Sequence, residues 1–167
     1  MTRTPGYTLL REVELTLPMV ADMEIAASET AAAMARYLGL EQDRIDEVRL
    51  AVVEVCINAF EHSRAADRRV HMTCSILGSH REDPRELRIA IEDHGIGFDP
   101  AGLAQPRIEE KLKADRKRGW GMRIIHGLMD DVSIESGADG TRVVMSKWLS
   151  ETTADLAAPD EKQGGTT

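Results

Sequence analysis

A chain of 167 residues is long enough for one domain to bury most of its apolar surface without disulfide or metal staples. With 21 basic against 29 acidic side chains, the formal charge is −8 and no long basic tract appears. That balance excludes a general nucleic-acid or acidic-membrane binder, so an anionic ligand must be held by local geometry. The first residues lack the apolar run of a signal peptide, and no stretch of about eighteen uncharged apolar residues occurs, so a cytosolic protein without a membrane segment is expected.

Residues 8–17, TLLREVELTL, alternate well enough for a first strand, which Pro18 ends. The Ala-rich run that follows predicts a helix to about Leu38, closed by Gly39. A second helix is predicted over residues 41–62, with Ile45, Val48, Val52, Cys56 and Phe60 on one apolar face. Ala51, Val53, Val55, Ile57 and Ala59 extend that apolarity most of the way round, so the helix is expected to be nearly buried. Glu54, Asn58 and Glu61 interrupt it as a narrow polar stripe at i, i+4 and i+7. A buried stripe must find internal partners or face a polar cavity.

RRVHMTCSIL and ELRIAIED, with the polar turn GSHREDPR between them, predict a hairpin. Residues 98–118 hold two prolines and a short charged helical pattern, the profile of a lid. A third helix is predicted over GWGMRIIHGLMDD, and a last hairpin, VSIES and TRVVMSKWL, turns at Asp139-Gly140. One domain over residues 1–150 is expected, with 151–167 as a disordered tail because all periodicity is lost there. Cys56 lies in a helical pattern and Cys74 in a strand pattern without metal-ligand spacing, so both read as reduced thiols used as small core residues.

Three places carry chemistry. Asp93 ends its strand in phase with the inward-facing Leu87, Ile89 and Ile91, just before Gly95 and Gly97. An inward carboxylate needs donors; the exocyclic amine of a purine would serve, and capping of its own turn is the other open reading. In RKRGWGMRII, three cations precede Gly119 and Gly121 where a helix opens, so its unpaired N–H groups could cradle phosphate; a solvated basic loop with a glycine turn explains the same residues. On the second helix, Asn58 offers a neutral amide oxygen suited to magnesium, and Glu54, one turn away, a general base.

Taken together, a helical E-x-x-x-N, a strand ending D-x-G-x-G, a flexible segment and G-x-G at a helix start resemble the GHKL ATPase superfamily with its Bergerat ATP-binding fold. Within it, E-x-x-x-N-x-x-x-H, the compact lid and GWGMRIIHGLMDDVSI look most like the bacterial anti-sigma factor serine-protein kinases, over roughly residues 8–149. The resemblance implies a two-layer α/β sandwich with a mixed, mostly antiparallel sheet and helices on one face. It implies that Asp93 receives the adenine amine of ATP, that Gly95 and Gly97 shape the adenine pocket, and that Thr141 joins the adenine network through water. Gly119, Gly121 and Met122 would contact the phosphates or close the pocket, Asn58 would bind Mg2+, and Glu54 would be the base. Arg116, Lys117 and Arg118 are the candidate lid cations, with Arg118 next to the glycine loop. The implied activity is phosphorylation of a serine on an anti-anti-sigma protein that competes with a sigma factor for a homodimeric kinase. A nucleotide-regulated binding module without phosphotransfer is the alternative, and Glu54 favours the kinase. The first helix contains no histidine, which argues against a complete sensor histidine kinase.

Overall fold

The computed structural model describes residues 6–63, 65–80, 83–95 and 120–149, with the backbone alone at 120 and 121. In chain order the elements are β1 (Thr8–Pro18), α1 (Met23–Leu38), α2 (Gln42–His62), β2 (Arg69–Gly78), β3 (Pro84–Asp93), α3 (Trp120–Leu128), β4 (Asp131–Gly137) and β5 (Gly140–Trp148). The strands form one sheet in the order β1-β2-β3-β5-β4. All four described pairings are antiparallel, so the expected mixed sheet shows no parallel pair among the described residues. The predicted lid over 98–118 and the tail over 151–167 lie outside the described residues.

Period-two alternation sorts the sheet into two faces. Val70, Met72, Cys74 and Ile76 of β2, Leu87, Ile89 and Ile91 of β3, and Val143 and Met145 of β5 are buried and form the core with the helices. The opposite face carries pairs such as Glu92 with Arg142 (3.0 Å) and Ser75 with Glu12 (2.9 Å), side chains that tolerate water. Helix α1 packs against α2 and the sheet, and its Ala27, Ala31, Ala32 and Ala35 are fully buried; residues this small allow close approach. It stops where Gly39 adopts a left-handed φ of 90° and its N–H reaches back to Arg36 O (3.0 Å), the stop that glycine supplies without a Cβ penalty.

Two sequence expectations need correction. Helix α2 is buried along one side only, through Ile45, Val48, Ala51, Val52, Val55 and Cys56, whereas Leu50 is 49% exposed and Val53, Ile57 and Phe60 are half-buried. The helices form a single layer, so the side of α2 turned away from the sheet has no cover among the described residues. Helix α3 ends at Leu128, not at Asp131, and Asp131 already belongs to β4. Asp130 leaves the helix because its carboxylate accepts from Arg44 Nη2 (2.6 Å) and from the Trp148 backbone N–H (2.7 Å). Cys56 and Cys74 are free, buried thiols as expected, and burial pushes each up to about 12.

Candidate active site

Two side-chain contacts orient the helix layer on the sheet. Near the start of α2, Glu47 accepts from the Lys147 ammonium (2.6 Å), and Lys147 lies opposite Leu87, early in β3. Ser63, the carboxy-terminal cap of α2, donates to Asp93 at the far end of β3 (2.8 Å). Helix α2 therefore runs along β3 and delivers its last turns, with Glu54 and Asn58, toward Asp93. Helix α3 is fixed in the same frame. Leu128 O, at its carboxy-terminal end, accepts from Lys147 Nζ (2.5 Å), which ties that end to β5 and, through Glu47, to α2. Gly121 and Met122 belong to the first turn of α3, and Met122 is half-buried against the core.

Asp93 is 8% exposed, and both open readings of it meet in its geometry. Oδ1 accepts the Gly95 N–H (2.9 Å), which is the turn cap, and also the Ser63 hydroxyl (2.8 Å). Oδ2 has no hydrogen-bond partner among the described residues, so one oxygen holds the chain and the other is left to accept from a ligand. The one O–H of Ser63 is thereby committed to Asp93, and its oxygen also accepts the Ala65 N–H (3.1 Å). Thr141 sits directly across from Asp93 in the β3–β5 ladder, and its hydroxyl shares a 3.0 Å bond with Ser136 Oγ.

Gly140 is part of the same construction. Its φ is +125°, and a Cβ there would lie 1.9 Å from the carbonyl oxygen of Asp93. The turn glycine is therefore also a spacer that lets β5 close against the end of β3.

Glu54 and Asn58 are half-buried one turn apart on α2, and neither makes a side-chain hydrogen bond or ion pair with another described residue. Partly desolvated oxygens without protein partners can serve a cation or a proton transfer. Gly97, Arg118 and Gly119, together with Arg116 and Lys117, lie outside the described residues. Sequence reasoning missed Ser63 and Ser136. Their signal was the placement of a hydroxyl where a helix ends, and at a register position facing Thr141.

A cleft of about 500 Å³ lies at the opposite end of the sheet, lined by Tyr7, Arg44, Arg85 and Trp148 among others. Its carboxylates are already paired, Asp130 with Arg44 and Asp83 with Arg85.

An antiparallel sheet backed by one helix layer, with a carboxylate turned inward at the end of its central strand, is a two-layer α/β sandwich. Residues 11–147 match the histidine kinase-like ATPase domain, and the chain belongs to that family. The chain is 28% identical over 140 residues to the anti-sigma F factor of Clostridium acetobutylicum, covering 83% of this chain and 94% of that protein. It is 26% identical over 142 residues to the serine-protein kinase RsbW of Bacillus cereus, covering 83% and 85% of the two. Among solved structures, the RsbU and RsbW domains of Rv1364c from Mycobacterium tuberculosis share the fold, with a TM-score of 0.59 at 17% identity. That likeness covers 82% of this chain and 32% of the other. No helix among the described residues is long and apolar enough to cross a membrane.

Proposed function

We propose that this protein is an ATP-dependent serine-protein kinase and anti-sigma factor, which binds a sigma factor and phosphorylates a serine of an anti-anti-sigma protein. The carrying observation is the division of labour at Asp93, whose Oδ1 is held by Ser63 and Gly95 while Oδ2 has no partner among the described residues. An acceptor held still and partly desolvated suits the exocyclic amine of adenine, and Thr141, across the ladder, adds a hydroxyl beside it. Gly95 and Gly97 are assigned to the base pocket, and Gly121 and Met122 in the first turn of α3 to the phosphates, with Arg118 and Gly119 added to the phosphate set from the sequence resemblance alone.

Asn58 presents a neutral amide oxygen that fits magnesium already carrying phosphate and water ligands, and Glu54 lies one turn away as the base. Bound there through Asn58, the ion supplies neutralisation of phosphate charge. Glu54 takes the proton of the acceptor serine hydroxyl as its oxygen bonds to the γ-phosphorus. The bond from that phosphorus to the bridging oxygen breaks, and ADP leaves with the electron pair. The protein acts in the cytoplasm as a homodimer; the name of one relative supports a sigma factor as partner and that of another supports serine phosphorylation.

Labelled ATP incubated with the protein and candidate anti-anti-sigma partners tests the reading. Phosphate should appear on a partner serine, Asn58→Ala should lose magnesium-dependent nucleotide binding, and Glu54→Ala should bind nucleotide without transferring phosphate. Wild-type transfer by the Glu54 variant refutes the base. Nucleotide-dependent partner binding without transfer to any partner leaves a regulated binding module in place of a kinase.

A further inference from the structure

On the side of the β3 end turned away from the helices, three metal-ligating side chains from separate segments converge. They are Asp67 in the turn before β2, His71 on β2 and His94 just after β3, and one ligand atom from each lies within 4.8 Å of the other two. The fold explains the convergence. Val70 and Met72 point into the core, so His71 between them points out, and His94 follows an inward-facing Asp93. The imidazoles stand 5.0 Å apart between ring centroids, tilted by 56°.

We propose that Asp67, His71 and His94 form a binding site for a divalent transition-metal ion of the zinc class, separate from the magnesium-nucleotide site on the other face. Two imidazoles and one carboxylate are a donor set that zinc favours over magnesium or calcium. Zinc bonds of about 2.0–2.1 Å place tetrahedral ligand atoms roughly 3.4 Å apart, a gap that side-chain rotation of the two exposed ligands, Asp67 and His94, can close. The ring of His71 is already held, with Nδ1 3.1 Å from Thr16 Oγ1 on the neighbouring strand, which leaves Nε2 as the coordinating nitrogen. Asp67 is positioned by its own turn, with Oδ1 accepting the Arg69 N–H (3.2 Å). Three protein ligands leave the fourth position to water, and both cysteines are buried too deeply to compete.

Titration of the tag-free, nucleotide-free protein with zinc by calorimetry, and with cobalt by visible absorption, tests the site. One saturable equivalent is expected, with a cobalt spectrum of nitrogen and oxygen ligation. His71→Ala and His94→Ala should each weaken binding by about tenfold or more, since loss of a mere outer-shell partner already costs that much. His80→Ala, an exposed histidine in the β2–β3 turn, should bind as the wild type does. Circular dichroism of the metal-free variants checks that folding is unchanged. Absence of saturable zinc binding overturns the site, as does binding that survives both His71→Ala and His94→Ala.

Discussion

Replacing Ser63 with alanine removes one hydroxyl and tests how Asp93 is held. That hydroxyl donates to Asp93 Oδ1 at 2.8 Å and accepts the Ala65 N–H at 3.1 Å, both in a buried setting. A hydrogen bond to a charged group contributes about 1.5–3 kcal/mol net, and a neutral backbone bond about 0.5–1.5 kcal/mol. The residue is 8% exposed, so water cannot fully replace either bond, and the summed loss is roughly 2–4 kcal/mol. At about 3 °C per kcal/mol for a chain of this size, the melting temperature should fall by roughly 6–12 °C. Nucleotide affinity should fall as well, by about tenfold, because a carboxylate tied only to Gly95 no longer presents a fixed Oδ2. Ser63→Thr keeps the hydroxyl and should retain most of both properties. Thermal unfolding followed by circular dichroism and a fluorescent-nucleotide titration measure the two effects. A Ser63→Ala variant that melts within a degree of wild type and binds nucleotide equally would refute the reasoning.

Gly140→Ala should cost about 2–4 kcal/mol in urea unfolding, since a strained φ of +125° adds to a Cβ that meets the Asp93 carbonyl at 1.9 Å. Nucleotide affinity should drop with it, and wild-type values for both would show that the ladder yields easily there. Lys147→Met should destabilise by about 2–4 kcal/mol, because it deletes a buried cation bonded to Glu47 and Leu128 O; Glu47→Gln, at a carboxylate 39% exposed, should cost less in the same urea series. The cysteines predict alkaline sensitivity. Their folded pKa values, raised to about 12 by burial, mean that the native state holds these protons more tightly than the unfolded chain. Their contribution is full below about pH 9 and is lost as pH rises toward 12. Urea midpoints between about pH 8 and pH 11 should therefore fall less in a Cys56→Ala, Cys74→Ala double variant than in wild type.

The strands were legible in the sequence because alternation survives where one face is buried: Leu87, Ile89, Ile91 and Asp93 keep one phase to the end of β3. The Asn58 and Glu54 stripe was legible for the same reason, since polar residues stand out on an otherwise apolar helix. The burial of α2 was overread. Apolarity all round a helix does not say how many layers will cover it, and Leu50 remains exposed. Ser63 was illegible because a serine after a helix is ordinary by itself, and only the α2–β3 packing brings it to Asp93. The inward turn of Lys147 follows the phase of Val143 and Met145, but its partner Glu47 is brought to it by the tertiary fold.

The strand order carries a consequence for how the protein is made. Because β5 lies between β3 and β4, the central strand gains its second neighbour only from the last of the described strands to be synthesised. Until residues 140–148 leave the ribosome, β3 presents an unpaired edge beside Leu87, Ile89 and Ile91, a segment prone to pair with other chains. The pairing of Asp93 with Thr141 is then among the last steps of folding, so a nascent chain stalled before Gly140 should stay protease-sensitive and fail to retain nucleotide. Synthesis thereby times the closure of the sheet around the Asp93 carboxylate: a partly made copy lacks the Gly140 turn and the Thr141 pairing that shut the end of β3.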